Sequence, residues 1–237
     1  MNLPPIKGFN KTSEIGVDIF SPSIFLGYCN FSCHYCMNGP LAKDTIQSNV
    51  NIKEVEEFVK KEKSEWLMIS GGEPTCTKKE QLISLLEEIS SWGCKIGMST
   101  NGSNPEILED IIKYINYIAL DIKASNNDDY EFITEFKNAY NLMKKSKNIL
   151  NYNKKNRNDF DYEIRTTLFP KIIDEIELYR IGEIVHKEEK WILQQFRHNK
   201  NVISEYCNDI NPYNLNKLQD MLSIAKLFSD NARIRYV

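Results

Sequence analysis

Three cysteines fall within eight residues, Cys29-Asn30-Phe31-Ser32-Cys33-His34-Tyr35-Cys36, a C-x-x-x-C-x-x-C run. Thiolates this close on one loop can serve one metal centre, and soft sulfur ligands suit zinc or an iron–sulfur cluster. A structural zinc ion wants a fourth ligand, and His34, wedged between two of the cysteines, is poorly placed to share their metal. An iron–sulfur cube held by three cysteines instead leaves one iron open, where a substrate or cofactor can bind. The remaining cysteines, Cys76, Cys94 and Cys207, are scattered. An even total of six invites a disulfide framework, but such frameworks belong to short secreted chains, and half of these cysteines are clustered. The scattered three read as small buried hydrophobes.

A reactive loop needs elements that hold it. Apolar, β-branched runs predict strands at Ile24–Tyr28, Trp66–Ser70, Lys95–Thr100, Tyr117–Ile122, Tyr162–Phe169 and Trp191–Phe196, with a short last one at Ala232–Val237. Helical patterns lie between them at Ile52–Lys63, Lys78–Ser91, Pro105–Tyr114, Asp128–Asn148, Ile172–Glu188 and Pro212–Phe228. Thr77 with Glu80 reads as a capping box, Asn104-Pro105 and Asn211-Pro212 as cap and first-turn proline, and Gly93 as a left-handed stop. Six βα units in succession predict a parallel sheet, too short for an eight-fold barrel but enough for a partial (β/α)6 TIM-like one. In such folds the chemistry gathers at the C-terminal strand ends. The basic stretch Lys144–Arg157 reads as a solvated helix end followed by a polar loop.

The 237 residues fit one α/β domain spanning residues 1–237 and need no disulfides to hold a core. Hydrophobic residues at 41% and charged ones at 27% exclude a disordered or fibrous chain. A net charge of −3 gives no overall attraction to nucleic acid. Neither a signal peptide nor an apolar run of membrane-spanning length is present, so the expected location is the cytoplasm.

The cysteine run, with Tyr35 before its last member, resembles the signature of the radical S-adenosylmethionine (SAM) enzymes, and Gly71-Gly72-Glu73-Pro74 resembles that superfamily's G-G-E-P motif. Two glycines let a backbone edge approach a ligand, and the neighbouring carboxylate can help neutralise an ammonium group. Ser99-Thr100-Asn101-Gly102 ends the third predicted strand and Asp121-Ile122-Lys123 the fourth; two residues apart on a strand, Asp121 and Lys123 share a face, where they can meet the ammonium and carboxylate of SAM. All four motifs stand at predicted C-terminal strand ends. Cys-Asn-Phe-Ser-Cys-His-Tyr-Cys, Gly-Gly-Glu-Pro-Thr, Thr-Asn-Gly-Ser-Asn-Pro and Leu-Asp-Ile-Lys-Ala are similar to glycyl-radical-enzyme activating proteins, and Arg165-Thr166-Thr167 and Leu193-Gln194-Gln195-Phe196-Arg197 are similar in particular to activators of anaerobic ribonucleotide reductase.

The resemblance implies a [4Fe-4S] cluster on Cys29, Cys33 and Cys36, with SAM contacted by Tyr35, Met37, Gly71, Gly72, Glu73, Ser99, Asn101, Asp121 and Lys123. It implies an electron from a flavodoxin- or ferredoxin-like donor, reductive cleavage of SAM to methionine and a 5′-deoxyadenosyl radical, and abstraction of hydrogen from a glycine Cα of a glycyl radical enzyme. Arg165 and Arg197 would contact SAM or the incoming glycine loop. Two positions depart from the pattern: Ser99 stands where several relatives carry an acid that helps hold a monovalent cation, and Met37 where many carry histidine. Rival readings are a radical SAM enzyme acting on a small molecule, such as 7-carboxy-7-deazaguanine synthase, and a non-catalytic zinc-binding module.

Overall fold

A computed structural model describes residues 2–15, 19–197, 204, 207 and 209–236. Among these residues eight strands form one sheet in sequential order: β1 (Ile6–Ile15), β2 (Ile19–Leu26), β3 (Trp66–Gly71), β4 (Lys95–Thr100), β5 (Tyr117–Asp121), β6 (Asp161–Leu168), β7 (Lys190–Gln195) and β8 (Arg233–Arg235). From β2 to β8 every pairing is parallel, as the βα alternation requires, giving the partial TIM-like barrel. β1 is an addition to the expected set, folded back antiparallel on β2. Its sequence, Ile-Lys-Gly-Phe-Asn-Lys-Thr-Ser-Glu-Ile, is too polar to read as a strand and suits a sheet edge. The last strand is shorter than expected, and Val237 lies outside the described residues.

The helices are α1 (Gly39–Ala42), α2 (Ile52–Lys61), α3 (Lys79–Ser90), α4 (Pro105–Ile111), α5 (Asn127–Thr134), α6 (Ala139–Asn156), α7 (Glu175–Gly182) and α8 (Leu215–Phe228). Four of their starts are fixed by side chains that accept from backbone N–H groups, in α2, α5, α7 and α8: Asn51 from Lys53, Asn126 from Asp129, Asp174 from Glu177 and Asn214 from Lys217; Asn104, expected to cap α4, precedes Pro105 without a side-chain cap bond. The capping box at Thr77 does not form, because Thr77 closes the 3-10 turn Pro74–Cys76 and Lys78 precedes α3 without a side-chain cap. Asn211 is likewise not the cap of α8. The expected helix Asp128–Asn148 breaks in two where Glu135 and Asn138 adopt left-handed backbone, at φ 54° and 60°. The second piece, α6, runs on to Asn156, so the polar loop expected within Lys144–Arg157 is helix, while its last turn, with Lys154 and Lys155, is the expected exposed end. Lys147 is buried and pairs with the buried Glu189 at 2.7 Å.

Helix faces and the outer face of the sheet share one large apolar core. Inside the barrel a smaller cluster of Met68, Tyr117 and Ala119, with Trp66 against it, fills the lower end. Alternation along β5 and β6 then sets Asp121 above Ala119 and Arg165 above Glu163 on the inward face. Tyr117 donates its hydroxyl to buried Glu163 at 2.9 Å. The interior thus passes from apolar to charged toward the C-terminal strand ends. Among the described residues no helix is long and apolar enough to cross a membrane.

Candidate functional site

Every residue given a cluster, SAM or substrate role from the sequence lines one cavity of about 240 Å³ at the C-terminal ends of the strands. The loop from β2 to α1 contributes Cys29, Cys33, Tyr35, Cys36 and Met37; β3 ends in Gly71 and leads into Gly72 and Glu73; β4 brings Ser99 and the turn after it Asn101; β5 brings Asp121 and the segment after it Lys123. Arg165 reaches in from β6 and Arg197 from just beyond β7. Thr167 and the Gln194–Gln195 pair, to which no site role was given from the sequence, line the same wall. Thr167 and Gln194 are register partners, so adjacency of β6 and β7 places them together.

The cysteine loop is held by backbone bonds. Tyr28, at φ 63°, donates to Leu41 O at 2.9 Å, and Cys29 donates to Ala42 O at 2.9 Å. A left-handed tyrosine costs about 1–2 kcal/mol, and these bonds hold it while reversing the chain into the loop. The glycines serve this junction, since the backbone they allow close is the protein's own. A Cβ on Gly71 would stand 2.1 Å from Leu26 O, and one on Gly72 would stand 2.0 Å from Tyr28 O. Both contacts press the end of β3 against the chain entering the cysteine loop, with Glu73 N donating to Tyr28 O at 2.8 Å.

Glu73 is buried and ties three segments together. Its Oε1 accepts from Thr75 N at 3.1 Å, Thr75 Oγ1 at 2.7 Å and Thr100 Oγ1 at 2.7 Å, while Oε2 accepts from Asn101 N at 2.6 Å. Burial raises its pKa against the pull of these donors. Asp121 is bracketed by cations, with Arg165 Nε 2.9 Å from Oδ1 and Lys123 Nζ 3.3 Å from Oδ2. Burial opposes ionisation of Asp121, but the Arg165 and Lys123 charges outweigh it and hold the carboxyl below its ordinary value of 3.8. The Tyr35 ring turns into the core against Phe169, with centroids 5.1 Å apart and Lys123 Nζ 5.8 Å above it.

A folded-state pKa below the unfolded one means that Asp121 stabilises the fold above pH 3.8 and loses that contribution as pH falls through the folded value. Asp121→Asn leaves two cations without their partner, and at pH 7 it should cost about 2–3 kcal/mol. That is less than the ~3–5 kcal/mol of a wholly buried pair, because the Asp121 side chain keeps 29% exposure. Urea melts of both proteins should show the gap narrowing below about pH 4; a gap independent of pH would remove the ion pair as its cause.

The donor set around the cavity is three soft thiols. Burial raises all three thiol pKa values, that of Cys33 to about 12 despite the opposing charge of Lys123. Thiolates in such surroundings require a cationic centre to form. Three thiols lining one cavity are the soft donor set that an iron–sulfur cube takes from a protein when one of its irons is left open.

The Radical SAM superfamily profile matches residues 23–180. A protein of Methanocaldococcus jannaschii named "Putative glycyl-radical enzyme activating enzyme MJ1227" is 31% identical over 219 residues, covering 92% of this chain and 89% of that protein. The 7-carboxy-7-deazaguanine synthase of Haemophilus influenzae is 30% identical over 135 residues, 55% of this chain and 57% of that protein. Among solved structures, a domain of pyruvate-formate lyase-activating enzyme from Bacteroides vulgatus superposes with a TM-score of 0.55 at 18% identity, covering 71% of this chain and 97% of that domain.

Proposed function

Because this chain belongs to the Radical SAM superfamily, whose members use a [4Fe-4S] cluster and SAM, we propose that it is a glycyl-radical-enzyme activating enzyme. The observation that carries this reading is the similarity to the M. jannaschii protein along nearly the full length of both chains. In this reading Cys29, Cys33 and Cys36 hold three irons of the cluster, and residues 1–237 act as one domain. Asp121, Lys123 and Arg165, where carboxylate and cations alternate, would hold the amino-acid end of SAM by matching its ammonium and carboxylate. Tyr35, Met37, Gly71, Gly72, Glu73, Ser99 and Asn101 complete the wall around the rest of the molecule.

Held by these residues, a reduced cluster with SAM would supply hydrogen-abstracting chemistry, directed in this reading at a glycine Cα of the partner. The chain's own residues orient SAM and keep other hydrogen donors away. Exposed Arg197, with Thr167 and Gln194 beside it, faces the approach that a glycine segment would take. The partner in this reading is an anaerobic ribonucleotide reductase, and the electron donor a flavodoxin or ferredoxin, in a cytoplasm kept free of oxygen.

The test is anaerobic incubation with reductant, SAM and a candidate partner, followed by EPR. A glycyl doublet on the partner supports the assignment. Cleavage of SAM with no doublet on any partner tried would turn attention to the second reading, a small-molecule enzyme resembling 7-carboxy-7-deazaguanine synthase, which the half-length similarity favours. Colourless protein containing zinc and no labile sulfide would overturn both.

A further inference from the structure

Asn101 is buried at the end of β4, and each end of its carboxamide has a partner. The backbone N–H of Ser103 donates to Oδ1 at 2.8 Å. A backbone amide can only donate, so the group facing it must be the carbonyl oxygen and the amide nitrogen must point the other way. That nitrogen, Nδ2, lies 3.7 Å from Cys29 Sγ and 3.1 Å from Asn30 Oδ1. Asn30 is fixed in turn by Ser103 Oγ, which accepts from its Nδ2 at 2.8 Å. A second donor, Phe31 N, reaches the same sulfur at 3.4 Å. The backbone N–H of Asn101 meanwhile donates to Glu73 Oε2 at 2.6 Å, so the residue also partly neutralises a buried carboxylate close to Cys29.

We propose that Asn101 is a positioning residue that raises the reduction potential of the cluster by holding its side-chain amide on the Cys29 sulfur. The inference rests on the reading that Cys29 is a cluster ligand. Reduction adds negative charge to a centre already surrounded by thiolate, and an N–H dipole aimed at one of the sulfurs stabilises that added charge more than it stabilises the oxidised state. Three partners hold the carboxamide in place before any electron arrives, so none of that stabilisation is lost to reorganisation. The Asn30-Ser103-Asn101 arrangement thus links the cysteine loop to the turn after β4, making donor direction a property of the fold.

The experiment is an EPR-monitored potentiometric titration of the reconstituted protein, without SAM or partner, so that activity plays no part in the readout. Asn101→Ala should lower the ratio of reduced to oxidised cluster at fixed ambient potential about tenfold, which for a one-electron couple is ~59 mV toward negative values. Asn101→Asp, which keeps an oxygen for Ser103 N and replaces the donor with charge, should move it at least as far in the same direction. Ser103→Ala removes the hydroxyl contacts to Asn30 but keeps both Ser103 N and the Asn101 amide, and should change the ratio by no more than about twofold. An unchanged potential in Asn101→Ala, or an equal shift in Ser103→Ala, overturns the proposal. So does loss of the cluster in both Asn101 variants, which would make the residue a structural support of the loop. Failure of the underlying reading looks different, because wild-type protein would then assemble no cluster to titrate.

Discussion

Cys33→Ala, purified and reconstituted without oxygen, is expected to carry less than about a tenth of the wild-type iron and sulfide and to cleave SAM at below about one-thousandth of its rate, since the acceleration rests on the cofactor. Of the three loop cysteines, Cys33 gives the sharpest test. Cys29 has another thiol in its electrostatic neighbourhood, Cys76, whose sulfur is held 3.6 Å from Asn104 Nδ2 and could approach a vacated ligand position. Cys33 is buried at 7% exposure. Behind the loop, Cys207 is fully buried and its thiol donates to His34 O at 3.3 Å, and it is not among the residues lining the cavity. Far-UV circular dichroism should stay unchanged, since Ala at a position lining the cavity leaves little new void in the core. Retained cleavage with wild-type iron content would remove Cys33 from the ligand set and, with it, the reading of the run as a cluster loop.

What the sequence made legible was mostly local. The strand Lys95–Thr100 is found where its β-branched, apolar pattern places it, and the cavity gathers every candidate side chain because each stands at the end of a strand that reads clearly. The features that escaped are ones that the local apolar pattern does not carry. Residues 6–15 become a strand only because β2 supplies a ladder; on their own, lysines, an asparagine and a glutamate mask the pattern. The break between α5 and α6 carries no glycine or proline, and although Asn138 is a type that tolerates left-handed backbone, Glu135 turns left-handed without any local sign of it. Lys147 sits in a basic stretch that looks solvated, yet Glu189, 42 residues away, draws it inside. The G-G-E-P motif was legible as chemistry, but its work as a joint was not. The contacts that make Gly72 and Glu73 indispensable to the loop lie on Tyr28, Thr100 and Asn101, which no spacing rule connects to them.

That joint gives the second large effect. An ideal Cβ on Gly72 meets Tyr28 O at 2.0 Å, Tyr28 C at 2.5 Å and Cys29 N at 3.1 Å, all backbone atoms that no rotamer change can clear. The bonds from Gly72 N to Leu26 O at 3.0 Å and from Glu73 N to Tyr28 O at 2.8 Å hold the two segments at this separation, so relief requires breaking them. Gly72→Ala should therefore cost roughly 3 kcal/mol or more, lowering the melting temperature by about 6–12 °C for a chain of this size. Because the displaced residues are those that open the cysteine loop, iron incorporation should fall with stability. Gly93→Ala separates steric clash from backbone preference: Gly93 has φ +80° but nothing within 4 Å of the added carbon. It should cost only the ~1 kcal/mol of a left-handed alanine and leave iron content at the wild-type level. Thermal melts and iron assays on the pair decide the matter, since a Gly72→Ala protein no less stable than Gly93→Ala, with its iron intact, would mean that the close approach of β3 to the loop is not what sets the cysteines in place.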